Sequence, residues 1–87
     1  MNNTYTQAEL LKFLQTYNSL DRMQIKQNLK EIKRQHNFQN IDIVTRLNEN
    51  ENKIKGWFSK ASPNLPSFED LLRLSIEFEF DLEEVVK

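Results

Sequence analysis

The chain has 87 residues, of which 38% are hydrophobic and 29% charged, with a formal net charge of −1 and no cysteine. A single domain of this size has a modest core, and the lack of cysteine excludes a disulfide framework and a thiolate metal site. One glycine and two prolines supply few tight turns. The composition therefore favours an all-α fold over an all-β one.

The N-terminal segment, MNNTYTQAELLKFLQ, does not resemble a targeting sequence. It has no basic stretch followed by an apolar run, and no part of the chain is apolar for long enough to cross a bilayer. We therefore expect a cytoplasmic protein that does not engage a membrane.

The charges are distributed unevenly along the chain. Residues 22–60 hold nine basic and four acidic side chains, a balance of +5. Residues 61–87 hold two basic and seven acidic side chains, a balance of −5, and residues 1–21 contribute −1. This asymmetry indicates that the middle of the chain meets an anionic partner and that the acidic C-terminal third does not.

A first amphipathic helix is predicted near the N-terminus. Thr6 and Glu9 have the spacing of a capping box, and apolar residues follow at helical spacing over 7–17. Asn18 and Ser19 are expected to end this helix. It either packs on the core as an extra layer or pairs with another chain, and the sequence leaves both interpretations open.

A second helix follows after a short break. Asp21 is placed to cap it, and Ile25, Leu29 and Ile32 are spaced by four and three residues on an otherwise polar segment. This pattern predicts an amphipathic surface helix that ends near 35–37.

Two short helices are predicted in the middle of the chain. Asn40 is expected to cap a third helix over 41–47, and Asn50 is expected to cap a fourth over 51–60. Between them, Asn48 can take the left-handed conformation that ends a helix. A helical corner with so short a connection is typical of a helix-turn-helix.

The C-terminal part is predicted to be a loop and two more helical segments. Both prolines lie in the loop 61–67. Ser67 is expected to cap a fifth helix, the most apolar one, with Leu71, Leu72, Leu74, Ile76, Phe78 and Phe80 as its apolar residues. Asp81 and Glu84 form another capping box that opens a last turn.

Three segments occur in a specific order and spacing: NLKEIKRQHNF at 28–38, LNENENKIKGW at 47–57 and LPSFEDLLRLSIEFEFDLEEVV at 65–86. Together they resemble the first helix, the turn with the recognition helix, and the last two helices of the lambda-repressor-like (Cro/CI-type, Xre-like) helix-turn-helix family. The resemblance implies a compact all-α domain of five to six helices over 20–87, with residues 1–19 as an extra N-terminal helix. Where that family has a glycine in the turn followed by a hydrophobic residue, this chain has Asn48 followed by Glu49, so one core contact is missing.

The resemblance also implies which residues would contact DNA. The N-terminal end of the fourth helix would face base edges, to which asparagine, lysine and glutamate side chains can bond. Gly56 either lets DNA approach closely or is a tolerated helix glycine. The base-reading candidates are Glu51, Asn52, Lys53, Lys55 and Gly56; the phosphate-contact candidates are Asn40, Arg46, Lys60, Lys30, Lys33 and Arg34, for which a plain solvated surface is the alternative.

The two glutamates at the start of the fourth helix have two interpretations. Glu49 and Glu51 would repel phosphates and weaken nonspecific binding, or they would stabilise the helix through its dipole. Elsewhere, His36 is the only histidine. We therefore expect no metal site, no catalytic site and no cofactor.

These features favour a small sequence-specific DNA-binding transcriptional regulator, similar to phage and plasmid repressors, which binds double-stranded DNA as a homodimer. The alternative is a helix-turn-helix-like protein-binding module with little DNA binding, such as an antitoxin-like adaptor or a mobile-element inhibitor or accessory protein. Its partner would contact the N-terminal helix or the acidic C-terminal third.

Overall fold

A computed structural model of the chain describes residues 5–87. All regular secondary structure in this range is helical, as the composition predicts, and none of these helices has the length and apolarity that crossing a bilayer requires. The elements are α1 (Gln7–Ser19), α2 (Arg22–Gln35), α3 (Asn40–Leu47), α4 (Glu51–Phe58), α5 (Phe68–Phe78) and a C-terminal 3₁₀ helix (Leu82–Val86).

The core is one cluster of buried apolar side chains to which every helix contributes. α1 enters it through Phe13 and Tyr17, whose rings stack with their centroids 5.7 Å apart. The Tyr17 hydroxyl donates a hydrogen bond to the carbonyl oxygen of Pro66 at 2.7 Å. α1 therefore packs as an extra layer on the core that the other helices share.

Three helices begin with the side-chain caps that the sequence predicts. At α1, the Thr6 hydroxyl accepts from the Glu9 N–H at 3.1 Å, and the Glu9 carboxylate accepts from the Thr6 N–H at 2.9 Å. At α4, the Asn50 side chain accepts from two N–H groups of the first turn. At α5, Ser67 and Asp70 exchange the same pair of bonds as the α1 box. Local spacing thus determines where these helices begin.

α1 is longer than predicted, because Asn18 and Ser19 continue it instead of ending it. The Ser19 hydroxyl donates to the carbonyl of Gln15 at 2.8 Å. This bond runs back along the helix and is compatible with helical backbone, so it does not terminate the helix. The chain leaves the helix at Leu20, which is extended.

The residue before α3 is Gln39, so the prediction that Asn40 caps this helix is wrong. The Asp42 carboxylate accepts from the Gln39 N–H at 2.7 Å. Asn40 is the first helical residue, and its side-chain oxygen accepts from Nζ of Lys33 at 2.6 Å. Because a neighbouring helix engages the Asn40 amide, it is not available to cap its own helix.

α4 ends at Phe58, two residues before the predicted end. The Lys26 ammonium donates to the carbonyl oxygens of Gly56 and Trp57 at 2.7 and 3.1 Å. It also donates to Asn64 in the following loop at 2.7 Å, and the residue is only 1% exposed. A buried cation therefore satisfies the C-terminal carbonyls of α4, where the helix dipole favours positive charge.

The apolar surface of α5 is only partly buried. Ile76, predicted among its apolar residues, is 60% exposed. Phe80, also in that set, is buried but lies beyond the end of the helix. The run of apolar residues is therefore longer than the buried stripe.

Candidate nucleic-acid interface

α3 and α4 form a corner joined by the three residues Asn48–Asn50. Asn48 has φ 54° and ψ 48°, which confirms the predicted left-handed conformation, and the Glu49 N–H donates to the Val44 carbonyl at 3.2 Å. The side chain of Asn50 then caps α4. We call these two helices and their turn the α3–α4 corner.

The exposed surface of α4 carries three of the predicted base-reading residues. Glu51, Asn52 and Lys55 are exposed at its first two turns. The ammonium of Lys55 lies 3.5 Å from the Glu51 carboxylate, with both side chains more than 60% exposed. A pair in this setting contributes little to stability and leaves both groups accessible to a ligand.

Lys53, a fourth predicted base-reading residue, is also exposed, but its ammonium is paired with carboxylates of the protein. Its Nζ lies 3.1 Å from an oxygen of Glu49 and 3.7 Å from an oxygen of Asp70. Arg73 donates to the other Glu49 oxygen at 2.9 Å and to the Leu47 carbonyl at 2.6 Å. Hydrogen bonds from Arg73 and Lys53 hold the pKa of the Glu49 carboxyl below its usual value. We call Glu49, Lys53, Asp70 and Arg73 the Glu49 cluster.

The Glu49 cluster occupies the position at which the sequence indicated a missing core contact. An ion-pair network takes the place of an apolar side chain and connects the turn to α5. Sequence reasoning missed Arg73 because this partner lies 24 residues from Glu49 on another helix. The only local feature that pointed to Arg73 is its position three residues after Asp70, a spacing at which two side chains of a helix can pair.

Gly56, the fifth base-reading candidate, lies under the loop that follows α4. A Cβ atom at Gly56 would be 3.3 Å from Nδ2 of Asn64 and 3.3 Å from Oγ of Ser62. Those distances are shorter than ordinary van der Waals contact. The missing side chain therefore allows close packing of this loop within the protein.

Several cations form a continuous stripe beside the C-terminal end of α4. Arg22, Lys26, Lys30 and Lys33 recur every three or four residues along α2. Lys30 and Lys60 line the same cavity, of about 300 Å³, as the buried Lys26. We call these five residues the basic stripe.

The basic stripe is not neutralised by carboxylates. Within residues 5–87, no carboxylate lies within 4.0 Å of any of its five cationic groups. Burial, followed by the charge of Lys30, lowers the pKa of Lys33. Burial also lowers the pKa of Lys26, with the charges of Arg22 and Lys30 adding to the effect. The exposed cations of the stripe, Arg22, Lys30 and Lys60, thus carry positive charge that no carboxylate of residues 5–87 pairs.

The other phosphate-contact candidates are distributed differently. Asn40 joins the basic stripe through its hydrogen bond with Lys33. Arg34 is paired with Glu31 on the surface of α2. Arg46 lies against the end of α5, with its guanidinium 5.1 Å from the centre of the Phe78 ring. The structure therefore joins Asn40 to Lys33 and brings Lys30 and Lys60 to one cavity, whereas Arg34 is paired with Glu31 and Arg46 lies at the end of α5.

Comparisons of the chain with protein-family models, with curated proteins and with solved structures gave no match.

Proposed function

We propose that the protein is a small sequence-specific DNA-binding transcriptional regulator of the lambda-repressor-like helix-turn-helix type. The observation that carries this proposal is the uncompensated basic stripe beside the α3–α4 corner. A surface with this charge suits a polyanion, and the short corner next to it presents one helix end of a size that fits the major groove.

In this proposal the two surfaces have separate roles. The accessible members of the basic stripe (Arg22, Lys30, Lys33 and Lys60), together with Asn40, contact phosphates and set the register of the protein on the duplex, while the buried Lys26 stays with the end of α4. The exposed first turns of α4 place Asn52, Lys55 and Glu51 at base edges, where they can bond to adenine, guanine and cytosine respectively. Affinity then comes mainly from α2 and specificity from α4.

Useful affinity also requires a second copy. A single unit of this size buries limited surface on DNA, and two copies on a two-fold site would double the phosphate contacts. We therefore propose that a homodimer binds a palindromic site.

A selection from a random duplex pool at 50 mM salt tests the proposal, followed by titrations of the enriched sequence. The variant Lys30→Glu/Lys60→Glu reverses two charges of the basic stripe. Loss of two phosphate contacts should reduce the slope of log K against log salt by about 1.8. The matched control, Lys12→Glu/Lys87→Glu, makes the same change in net charge on another surface and should keep the wild-type slope.

Two results would contradict this function: a pool in which no sequence is enriched, or a stripe variant that binds duplex as tightly as the control. A homodimer further requires that the complex contain two chains for each enriched duplex, which its sedimentation mass measures.

One observation favours the alternative, a protein-binding module. Both exposed lysines of α4 lie next to glutamates, Lys53 with Glu49 and Lys55 with Glu51. A helix so neutralised has little attraction for DNA. A module of this kind would bind no duplex in the selection, and its stripe variant would behave as the control does.

A further inference from the structure

The Glu49 cluster holds a lysine of α4 against the protein, at the end of the helix that would read DNA. We propose that Glu49 is a specificity-determining residue that keeps Lys53 away from phosphates until a DNA site offers a better-placed acceptor. The inference rests on the proposed function, and it assigns to Glu49 a role in selectivity in addition to its contact with Arg73.

The pair between Glu49 and Lys53 is better protected from water than the neighbouring pair on α4. The Glu49 side chain is 17% exposed, whereas that of Glu51 is 66% exposed. An ion pair attracts more strongly when it is partly removed from solvent. Lys53 is also held by the Trp57 ring, whose centre lies 5.7 Å from Nζ.

Glu49, and not Asp70, is the principal restraint on Lys53. Asp70 shares one oxygen between Lys53 at 3.7 Å and Arg73 at 3.8 Å. Its other oxygen accepts from the Ser67 N–H in the cap of α5. When the charge of Glu49 is removed, Arg73 is drawn to Asp70, and Lys53 is left to extend into solvent.

This arrangement separates nonspecific from specific binding. On a random duplex, α4 and the turn before it present no net positive charge, because Lys53 is paired with Glu49 of the turn and Lys55 with Glu51. Binding then depends on the basic stripe alone. On the correct site, Lys53 exchanges Glu49 for a base edge or a phosphate, and this additional contact is made only there.

The test compares Glu49→Gln with Glu51→Gln on the enriched duplex and on a scrambled one, between 50 and 200 mM salt. Both variants remove one negative charge from the α3–α4 corner, but only the first releases Lys53. For the scrambled duplex, Glu49→Gln should steepen the salt slope by about 0.9, an additional loss of about 3.5-fold in affinity across this range. At 50 mM salt it should bind the scrambled duplex more tightly, so the preference for the enriched duplex falls.

A double-variant comparison identifies Lys53 as the group that is released. In a Lys53→Gln background, Glu49→Gln should change the binding of scrambled duplex no more than Glu51→Gln does. Glu49→Asp provides a second route if the Gln variant does not fold. It keeps a charge beside Arg73 but shortens the reach to Lys53, and it should shift binding in the same direction by a smaller amount.

Equal effects of Glu49→Gln and Glu51→Gln would overturn the role of Glu49 while DNA binding itself stands. The same conclusion follows if the Glu49→Gln effect persists without Lys53. If neither the wild type nor Glu49→Gln binds any duplex at 50 mM salt, the proposed function fails, and the role of Glu49 fails with it.

Discussion

Tyr17 connects the N-terminal helix to the loop before α5 through one buried hydroxyl. The hydroxyl donates to the Pro66 carbonyl at 2.7 Å. Burial raises the pKa of Tyr17 to about 12, and the negative charge of Asp70 adds to the shift. Because the phenol must stay protonated to donate this bond, the contact is lost at strongly alkaline pH.

We expect Tyr17→Phe to lower the free energy of unfolding by about 1 kcal/mol at pH 7, since the bond to Pro66 is lost. The raised pKa makes the native state hold this proton more tightly than the unfolded state, whose value is near 10. The wild type therefore keeps the full contribution of Tyr17 below pH 10 and loses it as the pH rises toward 12.

Urea unfolding at pH 7 and between pH 9.5 and 11.5 measures this effect. Tyr17→Phe should lose less stability over the alkaline range than the wild type does, and Tyr5→Phe, which keeps Tyr17, should follow the wild type. Parallel alkaline losses in the wild type and Tyr17→Phe would show that the hydroxyl is not held as described.

The residues that sequence reasoning placed well are those with partners close in the chain. Thr6 and Glu9 are three residues apart, and the turn conformation of Asn48 depends on its own side chain and backbone. Lys26 could not be placed in the same way, because its three acceptors lie 30 to 38 residues away. In sequence, Lys26 resembles the exposed lysines on the same polar helix.

At the scale of whole elements, the helix C-termini differ in how well the residue that ends the helix suits the left-handed backbone it adopts. Asn48 and Glu79 both adopt left-handed backbone, with φ 54° and 56°. Asparagine tolerates this conformation, whereas a glutamate there is strained. The end of α5 is thus less favourable than the end of α3.

We expect Glu79→Gly to raise the free energy of unfolding by up to about 1 kcal/mol, because glycine relieves the left-handed strain. The control is Glu77→Gly, the same substitution at an exposed position inside α5, which should cost about 1 kcal/mol. Thermal unfolding followed by circular dichroism should therefore shift in opposite directions for the two variants. Shifts of the same sign would contradict a strained end of α5.

Helix starts were predictable to within a residue, and so was the end of α3 at Leu47, whereas α1 and α4 each end two residues from the predicted position. The starts of α1 and α5 are set by capping boxes, each of which lies within four consecutive residues. The end of α4 at Phe58 coincides with a buried cation supplied by α2. Such ends are set by tertiary contacts, which no local pattern reports.

At the scale of the whole molecule, the fold raises the question of whether residues 20–87 can fold without α1. Phe13 and Tyr17 are buried in the common core, and Leu82 of the 3₁₀ helix donates its N–H to the Tyr5 hydroxyl at 3.1 Å. The N-terminal segment thus covers both the core and the last helical turn.

We expect a chain of residues 20–87 to be less stable by about 3–6 kcal/mol, since two large buried side chains are lost. For a domain of this size, that loss is comparable with the total stability. Thermal unfolding of this chain beside the full one measures it. An unchanged midpoint would show that residues 20–87 form an independent domain.

The buried ammonium of Lys26 also determines which amino-acid substitutions the chain can accept at this position. Three carbonyl oxygens converge on one compact donor with three N–H groups. Arginine is too wide and planar for that place, and methionine matches the length but donates nothing. A substitution of the exposed Lys30 alters only the surface of the protein. A substitution of Lys26 removes the contacts that hold the end of α4. Folding therefore constrains Lys26 more tightly than it constrains Lys30, one helical turn away.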